Sequence, residues 1–396
     1  LAGLLLPLLL LLRRSQEPPP WKALRSGWLA FLPALLIGLL SLDFAFARPV
    51  WNVDAQTRWV YHGQWLAEYG TVLPARMEDP SWALHHPRYP PLVPGAVGLT
   101  LELGADKDLG VRPLFPFFFL ALLGVVFGCG CRRRGAVLAG LASFALAVVP
   151  CFGWLPSLEH SLGLGADAAL ADVPLALFLT AFAVLLLEGL RGSGRGAFPL
   201  AAWMGAGALL TKQEGGVLAL LFLLVAWLWT RRTPREPGFR PRLLGPGVFL
   251  LAVLLFWKAV SARMPVSPGE NYLSAEGLHG LFTQLDRVPA VLSRLANEWF
   301  RLPVWGLLWF LPFLAGILWI GQGSRRIPWR LEEGGKLLLA WLLAGNAMVV
   351  VAYTATGWKD GAFEGLMEFS LTRLLMHLAP LVILLLFHLE ARPARS

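Results

Sequence analysis

Five stretches of this sequence hold ionisable residues at spacings that could do chemistry. The first reads Trp51-Asn52-Val53-Asp54-Ala55-Gln56-Thr57-Arg58-Trp59 and continues through Tyr61, His62, Trp65, Leu66 and Tyr69. Trp59, Trp65, Leu66 and Tyr69 suit an amphipathic helix lying along a membrane interface. Asp54 begins it. A carboxylate there can satisfy free N–H groups. It can also serve as a general base whose pKa partial desolvation raises toward usefulness. The second stretch is His85-His86-Pro87-Arg88-Tyr89-Pro90-Pro91. Adjacent histidines cannot both point at one metal from a helix, and no HxxxH or ExxH spacing accompanies them, so no metal site is expected. Arg88, beside proline-stiffened backbone, could hold a phosphate at headgroup depth or simply snorkel. The third is Ala166-Asp167-Ala168-Ala169-Leu170-Ala171-Asp172-Val173-Pro174. Asp172 there suits a helix N-cap and could also orient a sugar hydroxyl. In Thr211-Lys212-Gln213-Glu214-Gly215-Gly216, an ionisable pair joins two apolar runs, which is costly and marks a functional candidate. Last, Arg373 precedes Leu374-Leu375-Met376-His377-Leu378-Ala379-Pro380, again at phosphate depth. His377, one turn inward, reads as a packing residue.

The elements that must position these residues are membrane spans. Charged residues make up 15% of the 396, against about 25% in soluble domains, while 56% are apolar. A soluble enzyme is excluded. Long apolar runs, rather than ten-residue alternation, also exclude a membrane barrel. The net charge of +9 does not imply nucleic acid, because the basic residues sit in short clusters between apolar runs. Three cysteines, Cys129, Cys131 and Cys151, read as packing residues.

Apolar runs fall at 28–47, 112–130, 135–154, 172–190, 197–211, 215–230, 243–260, 304–322, 337–354 and 374–390. A further run, Leu1–Leu12, is followed by Arg13 and Arg14, the reverse of a signal peptide's charge order. A truncated first span is expected there. The predicted fold is therefore an all-α polytopic bundle of about 10–11 spans, one integral-membrane domain over 1–396. Connections at 13–27, 131–134, 191–196, 231–242, 323–336 and 391–396 hold most of the 34 Lys and Arg. The positive-inside rule makes these cytoplasmic. Loops at 48–111, 155–171 and 261–303 then face outward, and so do the candidate residues. Pro91–Gly104 is too short to span and is expected as a helix in the outer interface.

In order, these features resemble the C-type polytopic membrane glycosyltransferases: protein O-mannosyltransferases, lipid A aminoarabinose transferases and related sugar transferases of lipopolysaccharide cores. The matching residues are Asp54 in a long first outward loop followed by a His/Arg–Pro segment, Ala171-Asp172-Val173-Pro174, Thr211-Lys212-Gln213-Glu214-Gly215, and Arg373 through Pro380. The resemblance covers 28–230 by motif and the C-terminal half by topology. It implies that Asp54 is the catalytic base. The family's second acid is replaced by Ala55, so its role is absent or passes to Asp172 or Glu78. Lys212, with Arg88 and Arg373, would hold the donor phosphate, and Trp51, Trp59 and His86 would contact sugar or acceptor. The expected donor is a polyprenyl-phosphate sugar and the acceptor a glycan, lipid or protein hydroxyl. Neither metal nor other cofactor is required, and nucleic acid is not a partner. The expected location is the inner (plasma) membrane of a bacterium. The rival readings are a ligase or polymerase of lipid-linked glycans and a polytopic lipid or sugar transporter.

Overall fold

The computed structural model describes residues 21–47, 54–72, 86–107, 109–152, 168–192, 196–232, 239–265, 281–321, 329–355 and 360–391, with positions 50, 52, 165 and 279. The apolar run Leu1–Leu12 lies outside them. The first helix, α1 (Trp21–Ala47), is followed by a π-helical turn (Ala55–Val60) that passes directly into α2 (Tyr61–Tyr69). Then come α3 (Leu92–Glu102), α4 (Leu114–Arg134), α5 (Ala136–Ala147), α6 (Asp172–Leu190), α7 (Ala197–Thr211), α8 (Gln213–Arg232) and α9 (Phe239–Ser261). The second half holds α10 (Val288–Trp299), α11 (Leu302–Trp305), α12 (Phe310–Ile320), α13 (Glu333–Ala355), α14 (Asp360–Met376) and α15 (Ala379–Leu384). Two three-residue strands, β1 (Trp329–Leu331) and β2 (Leu389–Ala391), pair antiparallel.

The fold is a polytopic helical membrane bundle. Seven helical stretches among the described residues are long and apolar enough to cross a membrane: Gly27–Ala47, Leu114–Arg134, Asp172–Leu190, Gln213–Arg231, Arg242–Ser261, Glu333–Ala355 and Phe363–His388. The other three predicted runs form the shorter apolar helices α5, α7 and α12. Two runs differ from uninterrupted spans for identifiable reasons. The run at 304–322 is broken where Gly306 takes a left-handed backbone (φ 55°), so α11 stops and α12 restarts at Phe310. The run at 374–390 begins inside α14 and breaks at 377–378. Pro380 supplies no N–H to that turn and its ring crowds the carbonyl four residues earlier.

Burial sorts the helices. Nearly every side chain of α6 is buried, as a helix apolar on all sides must be when it sits at the bundle centre. On α1 and α9, by contrast, Leu29, Leu40, Val248, Leu255 and Phe256 are exposed, the signature of a lipid-facing surface. The short helices α2 and α3 pack at close range through Gly63 and Gly98; a Cβ on either would collide with the other helix's backbone or Val97. The helix expected over Pro91–Gly104 is thus present as α3, 11 residues long.

The two ends of α6 are chemically different. At the Leu190 end, Arg133, Arg134 and Arg191 converge on Glu332 at 3.5, 2.8 and 3.1 Å, with Glu188 beside Arg133 at 3.3 Å. At the Asp172 end lie most of the residues picked out for chemistry. Nineteen residues separate these ends, about 28 Å of helix, close to the hydrocarbon thickness of a bilayer.

Candidate functional site

Asp54 heads the π-helical turn without capping it. The cap is Asn52, whose Oδ1 accepts the Ala55 N–H at 3.3 Å, while Gln56 Nε2 donates to the Val50 carbonyl at 2.6 Å. That arrangement leaves the Asp54 carboxylate free to turn toward the bundle. Arg373, in the last turn of α14, meets it: Nη1 donates to Asp54 Oδ2 at 2.5 Å. The same guanidinium donates through Nε to Asp172 Oδ2 at 2.9 Å. Lys212 Nζ donates to Asp172 Oδ1 at 2.9 Å, and His377 Nε2 lies 2.9 Å from that oxygen. Exposure falls inward, from 21% for the Asp54 side chain to 0% for Asp172 and His377. Asp54 is the outermost member of the network and Asp172 the innermost.

Local sequence explains each placement. Lys212 is a single extended residue (φ −150°, ψ 155°) between α7 and α8. Thr211 Oγ1 ends α7 by donating back to the Gly207 carbonyl at 2.6 Å. Gly215 lets the first turn of α8 lie on the last turn of α7, where a Cβ would strike the Ala208 carbonyl. The turn therefore aims Lys212 back at α6. Asp172 follows the N-cap Ala171 and spends its carboxylate on three side chains rather than on the helix start. Arg373 and His377 both flank the break that Pro380 imposes. Ala169 and His86, non-glycine residues with φ of 59° and 53°, hold strained backbone close to two of these segments.

Of the residues chosen from sequence, Asp54, Asp172, Lys212 and Arg373 come together. Others are placed elsewhere. Arg88 gives its Nη2 and Nε to the Met264 carbonyl at 2.7 and 3.0 Å, so it pins the segment after α9 instead of joining the cluster. Trp59 is fully buried and sits edge-on to Tyr89 at 5.2 Å, making it a core residue without a face for a sugar. His86 approaches the cluster through Arg58, which lies 3.2 Å from its Nε2 and 3.6 Å from Asp54 Oδ1. Trp51, Glu78, His85 and Asp167 fall outside the described residues. His377 is an Asp172 partner, not a packing residue.

The Asp54 carboxyl also departs from expectation. Burial pushes its pKa up, but Arg373 and Arg58 outweigh burial and hold it below the ordinary carboxylate value. Sequence reasoning missed Arg58, although its i+4 spacing from Asp54 was a usable signal. It also missed Glu298. That residue is 5% exposed and accepts from Thr372 Oγ1 at 2.6 Å and Trp305 Nε1 at 3.2 Å, tying α10 to the neighbour of Arg373. Glu298 shares a helix face with buried Val291 and Leu295, and an acid on an apolar face was the clue.

A similar arrangement of helices occurs in a crystal structure of ArnT from Cupriavidus metallidurans bound to undecaprenyl phosphate, with a TM-score of 0.55 and 22% identity over 91% of this chain. The likeness shows a shared fold, a polytopic helical membrane bundle. This chain spans about 60% of the length of that ArnT chain. No family model matches the sequence, and no curated protein does.

Proposed function

We propose that this chain is a membrane glycosyltransferase that moves a sugar from a polyprenyl-phosphate donor to an acceptor hydroxyl at the outer membrane face, with inversion at the anomeric carbon. The observation that carries the reading is the single network joining Asp54, Arg373, Asp172 and Lys212 at one end of α6. The shared fold, seen in ArnT with undecaprenyl phosphate bound, supports the donor class.

In the proposed step the acceptor oxygen attacks the anomeric carbon and the bond from that carbon to the phosphate oxygen breaks. Asp54 takes the hydroxyl proton. The departing polyprenyl phosphate gains one negative charge, so cations aimed at it stabilise the transition state more than the ground state. Lys212 and Arg373 are the two cations so placed, and Asp172 fixes both. The transition state is oxocarbenium-like, and one base opposite the leaving phosphate gives inversion. Side chains supply both the base and the cations, so the step as proposed calls on no cofactor. A transporter would instead place ionisable groups near the midplane; this cluster lies at a helix end.

The test is turnover of a panel of polyprenyl-phosphate monosaccharides by the purified protein in lipid, with crude envelope extract as acceptor. Asp54→Asn is expected to lose about 10²–10⁴-fold in turnover while still binding donor. Full turnover in that variant would remove Asp54 as base. No turnover of any donor by the wild type would overturn the transferase reading.

A further inference from the structure

The Asp54 carboxylate is already occupied in this site. Its Oδ2 holds Arg373 Nη1 at 2.5 Å, and its Oδ1 faces Arg58 at 3.6 Å. Lys212 adds positive charge from the α7–α8 junction. His86 and Tyr89 connect to it through Arg58. A carboxylate held this way has low proton affinity and is a poor base for a sugar or lipid hydroxyl. Something must take Arg373 away before the hydroxyl can be activated.

Arg373 is built for that exchange. Its Nε serves Asp172 and its Nη1 serves Asp54, so the two carboxylates use separate nitrogens of one rigid fork. Asp172 is fully buried, and Lys212 and His377 also hold it. Asp54 is partly exposed and rides on a six-residue π-helical turn. An anion arriving from the open side therefore competes with Asp54, and not with Asp172.

We propose that the donor's phosphate displaces Asp54 from Arg373 Nη1 while Asp172 keeps Nε, so that Asp54 becomes a working base only after the donor is seated. The inference rests on the polyprenyl-phosphate reading above. No bond is made or broken in this step; one ion pair replaces another. Arg373 is thereby a positioning residue for the base as well as a phosphate ligand. Binding is ordered, donor before acceptor, and the donor-free site is kept from activating hydroxyls.

The test is an infrared pH titration of the Asp54 carboxyl in the full chain in nanodiscs, its band assigned by loss in Asp54→Asn. It is run with undecaprenyl phosphate, with phosphatidylglycerol and with neither, and native mass spectrometry reads lipid binding in parallel. Undecaprenyl phosphate is expected to raise the midpoint by at least about one pH unit, and phosphatidylglycerol to leave it in place. R373K keeps the charge but lacks the fork, so its midpoint is expected to be high without added lipid. Undecaprenyl phosphate that binds and leaves the midpoint unchanged would overturn the exchange while the donor reading stands. Absence of binding would overturn the donor reading and the exchange with it.

Discussion

Two aspartates share one arginine, yet their surroundings give them different work. Asp172 is closed in by Arg373, Lys212 and His377 with no exposed surface, so it is placed to set the direction of two cations. Asp54 keeps an exposed edge and stands where an acceptor could reach it. The direction of its pKa shift fixes a pH signature. Because Arg373 and Arg58 hold the carboxyl below its ordinary value, the ligand-free protein keeps Asp54 ionised through the ordinary carboxylate range near pH 4. Its pairing with Arg373 is at full strength above that range and is lost as pH falls through the lower, folded value. The pH dependence of kcat/KM reports the free enzyme, and that of kcat reports the occupied one. The acid limb of kcat/KM is therefore expected below the ordinary carboxylate range, and that of kcat at higher pH. Steady-state rates measured across acid pH check this; coincident limbs would mean that the donor leaves the environment of Asp54 unchanged.

Those residues meet because three elements are interrupted where regular helix would have carried the side chains past one another. The π-helical turn after Asp54, the extended Lys212 and the break before Pro380 are all departures from regular α-helix. Pro380 gives the cleanest test. Pro380→Ala restores an N–H and removes the clash with residue 376, which favours healing of the break at 377–378. Arg373 and His377 would then rotate away from Asp172. The variant is expected to keep its thermal midpoint within a few degrees and to lose about 10²-fold in turnover, in keeping with a catalytic group misplaced by about 1 Å. Loss of stability with intact specific activity would show that the break serves folding alone. The spans at 28–47, 172–190 and 337–354 were readable because a long apolar run has few alternatives to a membrane helix. Lys212 and Arg373 were readable because ionisable residues beside apolar runs are rare. Trp59 and Arg88 lie apart from the cluster, and residue type in a loop does not say which way a side chain turns. Glu298 was overlooked because its partner, Thr372, is 74 residues away.

At the scale of the whole molecule, α6 separates two charged assemblies by about one bilayer thickness. At the far end, Glu332 collects Arg134, Arg191, Arg133 and His388, and its pKa falls to about 2. Burial alone would raise it, but His388, Glu390 and Arg134 outweigh that cost. This assembly ties α4, α6 and the β1–β2 ribbon together with side chains mostly drawn from the basic connections. Arginines concentrated there make that end the expected cytoplasmic one by the positive-inside rule. Under the proposed transferase reading, donor access depends on membrane topology, since a polyprenyl phosphate presents its headgroup to one face only. Leu103, 80% exposed just beyond α3, belongs to the site side, and exposed Arg132 in the last turn of α4 belongs to the arginine side. In intact cells carrying a Cys131→Ser background, Leu103→Cys is expected to react with a membrane-impermeant maleimide. Arg132→Cys is expected to react only after permeabilisation. The reverse pattern would place Asp54 and Lys212 at the cytoplasmic face and require a donor presented from inside.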